Sequence, residues 1–313
     1  MSGLAARKVL ALALLWVLLL TLFSITIPAF FQASTLTSIL QFSAILALVT
    51  LGQTLVVLAG GGGIDLSVGG IVSLSGLFLA WAGGAGVVGA PMVAIGVGAA
   101  LGAVNGLLVT RLRLVPLIAT LGTLYAYGGL ALALTGGSPQ RGVPAALAPL
   151  GRAALGAFPI SFLLTSVPLF AIAQFALSAT PAGPWTYATG RDENAARLVG
   201  IPVGRLRLAM YTLSGALAGI AALIAAAWLQ SARPDIGLNL ELDSLTATLL
   251  GGVGIAGGTG APAGALLAVL FLQSLKTGLQ LANVNAIWQT GMVGLLLLAS
   301  LQSDRLLGRR RSA

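Results

Sequence analysis

VLALALLWVLLLTLFSITIPAFFQASTLTSILQFSAILALVTLGQTLVVLAGGGGI, residues 9–64, contains no charged side chain, and after Asp65 a second uncharged run extends from 66 to 110. The two runs hold 56 and 45 positions, whereas a bilayer-spanning helix needs about 20 apolar residues. Runs of that length are too long for the buried helices of a soluble domain. They specify an all-α, polytopic membrane protein.

The whole chain agrees with its opening. Its mean hydropathy is +1.02, and charged residues make up only 7% of 313. A soluble protein of this size would carry far more surface charge. The net charge of +9 resides between and beyond the apolar segments, without a basic stripe interleaved with aromatics, so nucleic acid is not an expected partner. Cysteine and histidine are both absent, which excludes disulfides, thiolate chemistry and histidine metal ligands. Arg7 and Lys8 before the first apolar run resemble a signal peptide, but another long apolar segment follows, so a retained span is expected.

Ten spans are expected: Val9–Pro28, Leu36–Ala59, Leu66–Trp81, Val87–Val109, Pro116–Leu134, Phe158–Ala179, Leu208–Leu229, Leu242–Gly257, Pro262–Leu281 and Ala286–Leu301. Several fall short of 20 residues, which points to broken or re-entrant segments. With the N-terminus inside, twelve basic residues face the cytoplasm: Arg7, Lys8, Arg111, Arg113, Arg191, Arg197, Arg205, Arg207, Arg305 and Arg309–Arg311. Only Arg141, Arg152 and Arg233 fall outside. This positive-inside bias favours an even number of spans and two cytoplasmic termini. The chain reads as a single transmembrane domain over 1–313, in which 180–207 is the one substantial polar segment.

Gly60–Gly63, followed by Asp65 and Ser67, cannot favour continuous helix, since each glycine costs up to about 1 kcal/mol against alanine. One reading is a loop in which Asp65 and Ser67 cap the next helix. The other is a break lining a translocation path, where discontinuous helices present backbone to substrate. On that second reading the path residues are Gln53, Gly62, Gly63, Asp65, Ser67, Asn105 and Thr120. A second glycine cluster spans Gly251–Gly264. Each cluster follows an apolar segment containing threonine, Thr54 in one and Thr246 and Thr248 in the other, which suggests two halves on one plan. Gly98, Gly102 and Gly106 form a stripe suited to close helix packing, as do Gly215 and Gly219.

Lys276 interrupts the ninth span and is expected either to face protein or water or to snorkel toward an interface. Asp65, Glu241 and Asp243 fall near expected span edges rather than centres, which argues against a proton- or sodium-driven carrier. The stretch TGRDENAARLVGIPVGRLR, residues 189–207, reads as a short amphipathic helix closed by Gly200. Its small residues and single apolar side suit docking to a partner, with a solvated connector as the plain alternative.

The chain resembles the permease subunits of bacterial ABC importers for monosaccharides, the group with ribose, xylose, arabinose and rhamnose systems. The resemblance rests on GGGIDLSVGGIVSLSG (61–76), IATLGT (118–123), LTGG (134–137), the run 190–201, and Gly237–Asp243 with the 251–260 cluster. It covers about residues 35–305. The stretch 141–158 carries nothing diagnostic, and Asp192 stands where the family often has asparagine. The resemblance implies the importer-permease fold with ten spans and a second permease copy or paralogue. It also implies two cytoplasmic ATP-binding subunits, which use ATP and Mg, and a periplasmic sugar-binding protein. This chain would bind no cofactor and perform no covalent chemistry. Arg191, Asp192, Glu193, Ala196, Arg197 and Gly200 would form the segment engaging the ATPase. An autoinducer-2-like solute is a neighbouring possibility, and a secondary carrier or a membrane enzyme are the alternatives from other classes.

Overall fold

A computed structural model of the chain describes the backbone of residues 3–309 and the side chains of 8–302. The side chains of Arg7, Arg305 and Arg309, and the whole of Arg310 and Arg311, lie outside the described residues. Ten helical segments overlap the ten expected spans: α1 (Gly3–Thr26), α2 (Ala33–Leu58), α3 (Val68–Trp81), α4 (Gly86–Thr110), α5 (Pro116–Thr135), α7 (Val167–Ala179), α10 (Val203–Leu229), α11 (Leu240–Leu250), α12 (Pro262–Leu281) and α13 (Ala286–Arg309). Among the described residues seven helical stretches are long and apolar enough to cross a membrane; α3, α11 and α13 are not among them. Three short helices lie between them: α6 (Ala148–Arg152), α8 (Ala182–Arg191) and α9 (Glu193–Leu198). A two-residue hairpin, β1 (Ala154–Leu155) with β2 (Phe158–Pro159), is the one sheet among the described residues.

Local chemistry sets several boundaries. Pro116 and Pro262 open α5 and α12, where a missing amide costs nothing. Gly136, with φ 58°, closes α5 in the left-handed conformation. Two expected spans are corrected. The sixth does not start as α-helix at Phe158, because Pro159 pairs in the hairpin and Pro168 removes an amide; a π-helical turn at Phe162–Ser166 precedes α7. The eighth stops at Leu250 rather than Gly257, since Gly252, Gly257, Gly258 and Gly260 all take positive φ.

α2 is the axis of the bundle. Nearly all of it from Ser43 to Leu58 is buried, packed by α10, α12, α11 and α3. The α4–α10 seam is closer still: a Cβ at Gly102 would lie 3.0 Å from Gly215 Cα, and one at Gly219 would lie 2.8 Å from Ile95 Cα. The expected glycine stripes therefore are packing surfaces. On the periphery, Leu14, Leu18 and Ile25 of α1 and Ile287 and Leu295 of α13 are exposed, as apolar residues facing acyl chains should be.

α3 and α11 have 14 and 11 residues, about 21 and 17 Å at 1.5 Å per residue, against a hydrocarbon core of about 30 Å. Both start inside the bundle. Residues 59–67 carry the chain inward, so that the Asp65 amide meets the Gln53 side chain, more than a turn before α2 ends. Residues 230–239 do the same from the opposite side, where the Gly237 amide meets Ser73 Oγ of α3 at 3.2 Å. These are the broken segments expected from the short apolar runs.

The two ends of the bundle differ. At one, Thr37 donates to Ala157 O, Gln140 bridges to Ala232, and Arg152 donates to Trp228 O at 2.7 Å; this is the hairpin end. At the other, the glycine end, Arg111, Arg197 and Arg205 line one cleft. Lys8 of α1 and Ser300 of α13 line another with Leu249 and Leu250. The described parts of both terminal helices thus finish at the arginine-rich end.

Candidate functional site

The two glycine clusters meet. Gly258 N donates to Leu58 O at 3.0 Å, and Gly60 and Gly257 approach so closely that a Cβ at 257 would sit 2.5 Å from Gly60 Cα. Just before them, Thr54 and Thr248 hydrogen-bond through their hydroxyls at 3.2 Å. Of the threonines that precede each cluster in the sequence, Thr54 and Thr248 are therefore partners across the α2–α11 contact, while Thr246 donates within its own helix to Leu242 O.

Gly190, the penultimate residue of α8, is wedged into the same junction. A Cβ there would sit 2.7 Å from Gly258 Cα and would overlap Gly258 N and Leu58 O. Around this wedge the polar segment is fastened to both breaks. Tyr187 donates to Gly260 O at 3.0 Å and Arg191 Nε to Gly258 O at 3.3 Å. Glu193 pairs with Arg207 at 2.7 Å, and the Arg207 guanidinium lies beneath Gly61 with Nε directed at Ala59 O. Any displacement of α8–α9 must therefore push on the end of α2 and on the glycine break that follows α11.

The short α9 holds its shape by local devices. Asp192 accepts from Asn194 N and Ala195 N at 2.9 and 3.0 Å, a cap worth about 0.5–2 kcal/mol. Glu193 also pairs with Arg197 one turn on, adding a few tenths of a kcal/mol at an exposed site, about 0.3–0.5. Hydrogen bonding from Arg197, with a further contribution from Arg207, holds the Glu193 carboxyl below its ordinary range. Ala196 is buried, and Gly200 ends the turn with φ 84°. Leu198 and Val199 are 89% and 75% exposed. These apolar side chains project from a polar segment and present a small greasy knob at the glycine end.

Five of the seven residues assigned from sequence to a path, Gln53, Asp65, Ser67, Asn105 and Thr120, are buried together. Asp65 is fully buried and accepts from Ser67 N at 3.1 Å, Ser67 Oγ at 2.6 Å and Ser214 Oγ at 3.0 Å. Asn105 donates to Ser67 Oγ at 2.5 Å, and Tyr127 donates to Asn105 Oδ1. Thr120 and Tyr211 both donate to Ile64 O, at 3.2 and 3.4 Å. Gln53, Asp65, Ser67 and Asn105 are thus brought together with Thr120 beside them, and Gly62 and Gly63 lie at the edge. Gly62 is exposed, with open space where a Cβ would stand, whereas a Cβ at Gly63 would lie 2.8 Å from Val56 O. A small opening of about 10 Å³ lies here between Gly60, Gly63, Val109, Arg207 and Tyr211, room for one water at most.

One expectation changes. Ser67 does not cap α3 with its hydroxyl; Asp65 instead receives the Ser67 amide and hydroxyl. Asp65 lies just before α3, near the span edge as expected, yet it is wholly enclosed because residues 59–67 dip into the bundle. Lys276, half-buried, takes the first of its two expected readings and faces protein, pairing with Asp243 of α11. Sequence reading passed over Tyr187, Ser214 and Tyr127, whose roles arise from contacts between distant segments. Gly190 and Arg207 were noted only as members of the polar stretch 189–207 and, for Arg207, as one of the positive-inside arginines.

Comparison with known proteins agrees with this architecture. The family described as "Branched-chain amino acid transport system / permease component" matches residues 35–301. A "Probable ABC transporter permease protein y4mJ" of Sinorhizobium fredii is 35% identical over 99% of this chain and 92% of its own length. "Ribose import permease protein RbsC" of Bacillus subtilis is 37% identical over 92% and 90%. "Autoinducer 2 import system permease protein LsrC" of an Enterobacter species is 37% identical over 94% and 86%. No solved structure matches. With a broken-helix bundle, multi-pass apolar helices and a match over most of its length, this chain belongs to the family of transport-system permease components, and is a transport subunit rather than an enzyme.

Proposed function

We propose that this chain is the inner-membrane permease of an ATP-driven importer that moves a monosaccharide, a pentose or deoxyhexose such as ribose, xylose or rhamnose. The glycine end faces the cytoplasm, with both termini on that side. The observation that carries this reading is the fastening of α8–α9 to both glycine breaks, with the Leu198–Val199 knob free to enter a partner. Relatives named as ribose import permeases support the substrate class. Relatives named for autoinducer 2, at 37–39% identity, keep that sugar-like solute as a second reading.

In this account 180–207 is the coupling segment, and Arg191, Asp192, Glu193, Ala196, Arg197 and Gly200 shape it. Two cytoplasmic ATP-binding subunits grip it; ATP and Mg belong to them, and this chain holds no cofactor. A periplasmic sugar-binding protein delivers solute at the hairpin end, and a second permease, identical or paralogous, completes the pore. ATP binding closes the ATPase pair and displaces α8–α9. The push reaches the end of α2 at Leu58–Gly60 and the glycine break after α11 at Gly257–Gly258, and the Gln53–Asp65–Ser67–Asn105 cluster beside Thr120, Gly62 and Gly63 opens the closed path. The permease contributes a conformational equilibrium that its partners bias.

The test is co-purification of the expressed chain with its ATP-binding subunit, and measurement of ATPase activity across a sugar panel with binding protein present. Reversing the charges of Glu193 and Arg197 should abolish coupling while leaving membrane insertion unchanged. Unaltered assembly and sugar-stimulated hydrolysis in that variant would refute the coupling role.

A further inference from the structure

At the hairpin end the face of α2 changes character. Ser34, Ser38 and Phe42 repeat every four residues, form one stripe, and are exposed on a helix that is otherwise the buried axis of the bundle. α12 faces this stripe with Thr277 and Gln280, and Asn283 follows just beyond it. Together these six residues line a cleft of about 420 Å³, within the range of small-molecule sites, about 300–1,000 Å³.

Three properties define what fits. Among the described residues, the side chains of Ser34, Thr277, Gln280 and Asn283 make no hydrogen bond, so their donors and acceptors are unspent. Polar groups left thus do not face acyl chains, where each would cost several kcal/mol, of the order of 2–7. No charged side chain lines the cleft; Lys276, next along α12, is tied to Asp243. Phe42 stands edge-on to Trp228 at 5.1 Å and supplies an apolar platform.

We propose that this cleft between α2 and α12 is a binding site for a neutral, polyhydroxylated solute. Hydroxyls and amides that both donate and accept match a ligand whose every hydroxyl does the same. The carbon face of the ligand lies on Phe42. The site sits at the end opposite the coupling segment, where incoming solute first meets the permease. It is shallow and polar, suited to brief occupancy. This inference rests on the proposed function and names a contact surface for its substrate that is separate from the Asp65 cluster.

The natural absence of cysteine makes the test direct. Single variants Ser38→Cys and Thr277→Cys, in the full transporter in membrane vesicles, are treated from the outside with a membrane-impermeant maleimide. The probes are D-ribose, D-xylose, L-arabinose and L-rhamnose. Both cysteines should label, and at least one sugar should slow labelling. Thr277→Val and Gln280→Leu should each lower the uptake rate of that sugar about fivefold, the effect of one lost hydrogen bond. Ser178→Ala, whose hydroxyl bonds only to its own helix at Phe175 O, should transport normally. Cysteines that stay unlabelled, or that label without sugar protection while the transporter still imports sugar, would overturn the site alone. Absence of uptake for all four sugars in the presence of working ATPase would overturn the proposed function and the ligand class with it.

Discussion

Replacing Gly190 with alanine asks whether the polar segment α8–α9 is wedged between the two glycine breaks. Gly190 lies in the last turn of α8 with no positive φ. In an uncrowded helix the change should stabilise by up to about 1 kcal/mol. In this structure the new methyl would sit 2.7 Å from Gly258 Cα and under 3 Å from three backbone atoms of two segments, at Gly258 and Leu58. Overpacking of that kind costs about 1–3 kcal/mol. Separating the breaks also removes the Gly258 N to Leu58 O bond, worth about 1 kcal/mol. Net of the helix gain, the junction loses about 1–3 kcal/mol, a population shift of about 5- to 140-fold at 1.4 kcal/mol per decade. The assay is thermal unfolding of the detergent-solubilised complex beside uptake in proteoliposomes. Gly190→Ala should melt at lower temperature and should couple ATP hydrolysis to uptake at least fivefold less well. A variant that melts higher and transports normally would refute the wedge.

Asp65→Ala strands the Ser67 amide and the Ser67 and Ser214 hydroxyls in a closed interior; at about 1–3 kcal/mol per orphaned group, the purified chain should lose most of its thermal stability, while Asp65→Asn should keep most of it. Lys276→Met leaves Asp243 buried without its cation and should destabilise by about 3–5 kcal/mol, and Lys276→Met with Asp243→Leu should recover most of that in the same melting assay. Glu193 contributes order only while ionised: its folded value is depressed, so the contribution is complete above the ordinary glutamate value of about 4.3 and disappears as pH falls through the depressed one. Hydrogen exchange at residues 194–198 should therefore stay slow from pH 7 to 5, after correction for intrinsic rates, and rise below about pH 4, with Glu193→Gln fast throughout.

The membrane class, the ten segments and the arginine-rich end were legible because charge exclusion from lipid is a property of composition. The short helix of the polar segment was legible too, since Asp192, Gly200 and Pro202 mark its limits locally. The short α3 and α11 declared themselves only as runs of insufficient length. What joined them was not readable: that Gly60 touches Gly257, that Thr54 bonds to Thr248, or that Gly190 fits between, depends on residues up to about two hundred positions apart. Asp65 looked peripheral because a neighbouring glycine run reads as surface loop, whereas the chain there turns inward. Lys276 looked solitary because its partner lies 33 residues away on a helix whose start was uncertain.

The most direct measurement is sugar uptake into proteoliposomes containing the permease, its ATP-binding subunits and its binding protein, with ATP enclosed on the side of the coupling segment. Accumulation that requires hydrolysable ATP, and that disappears when Glu193 and Arg197 exchange charges, is the expected result. Accumulation by the permease alone down a proton or sodium gradient, with no ATPase present, would contradict it.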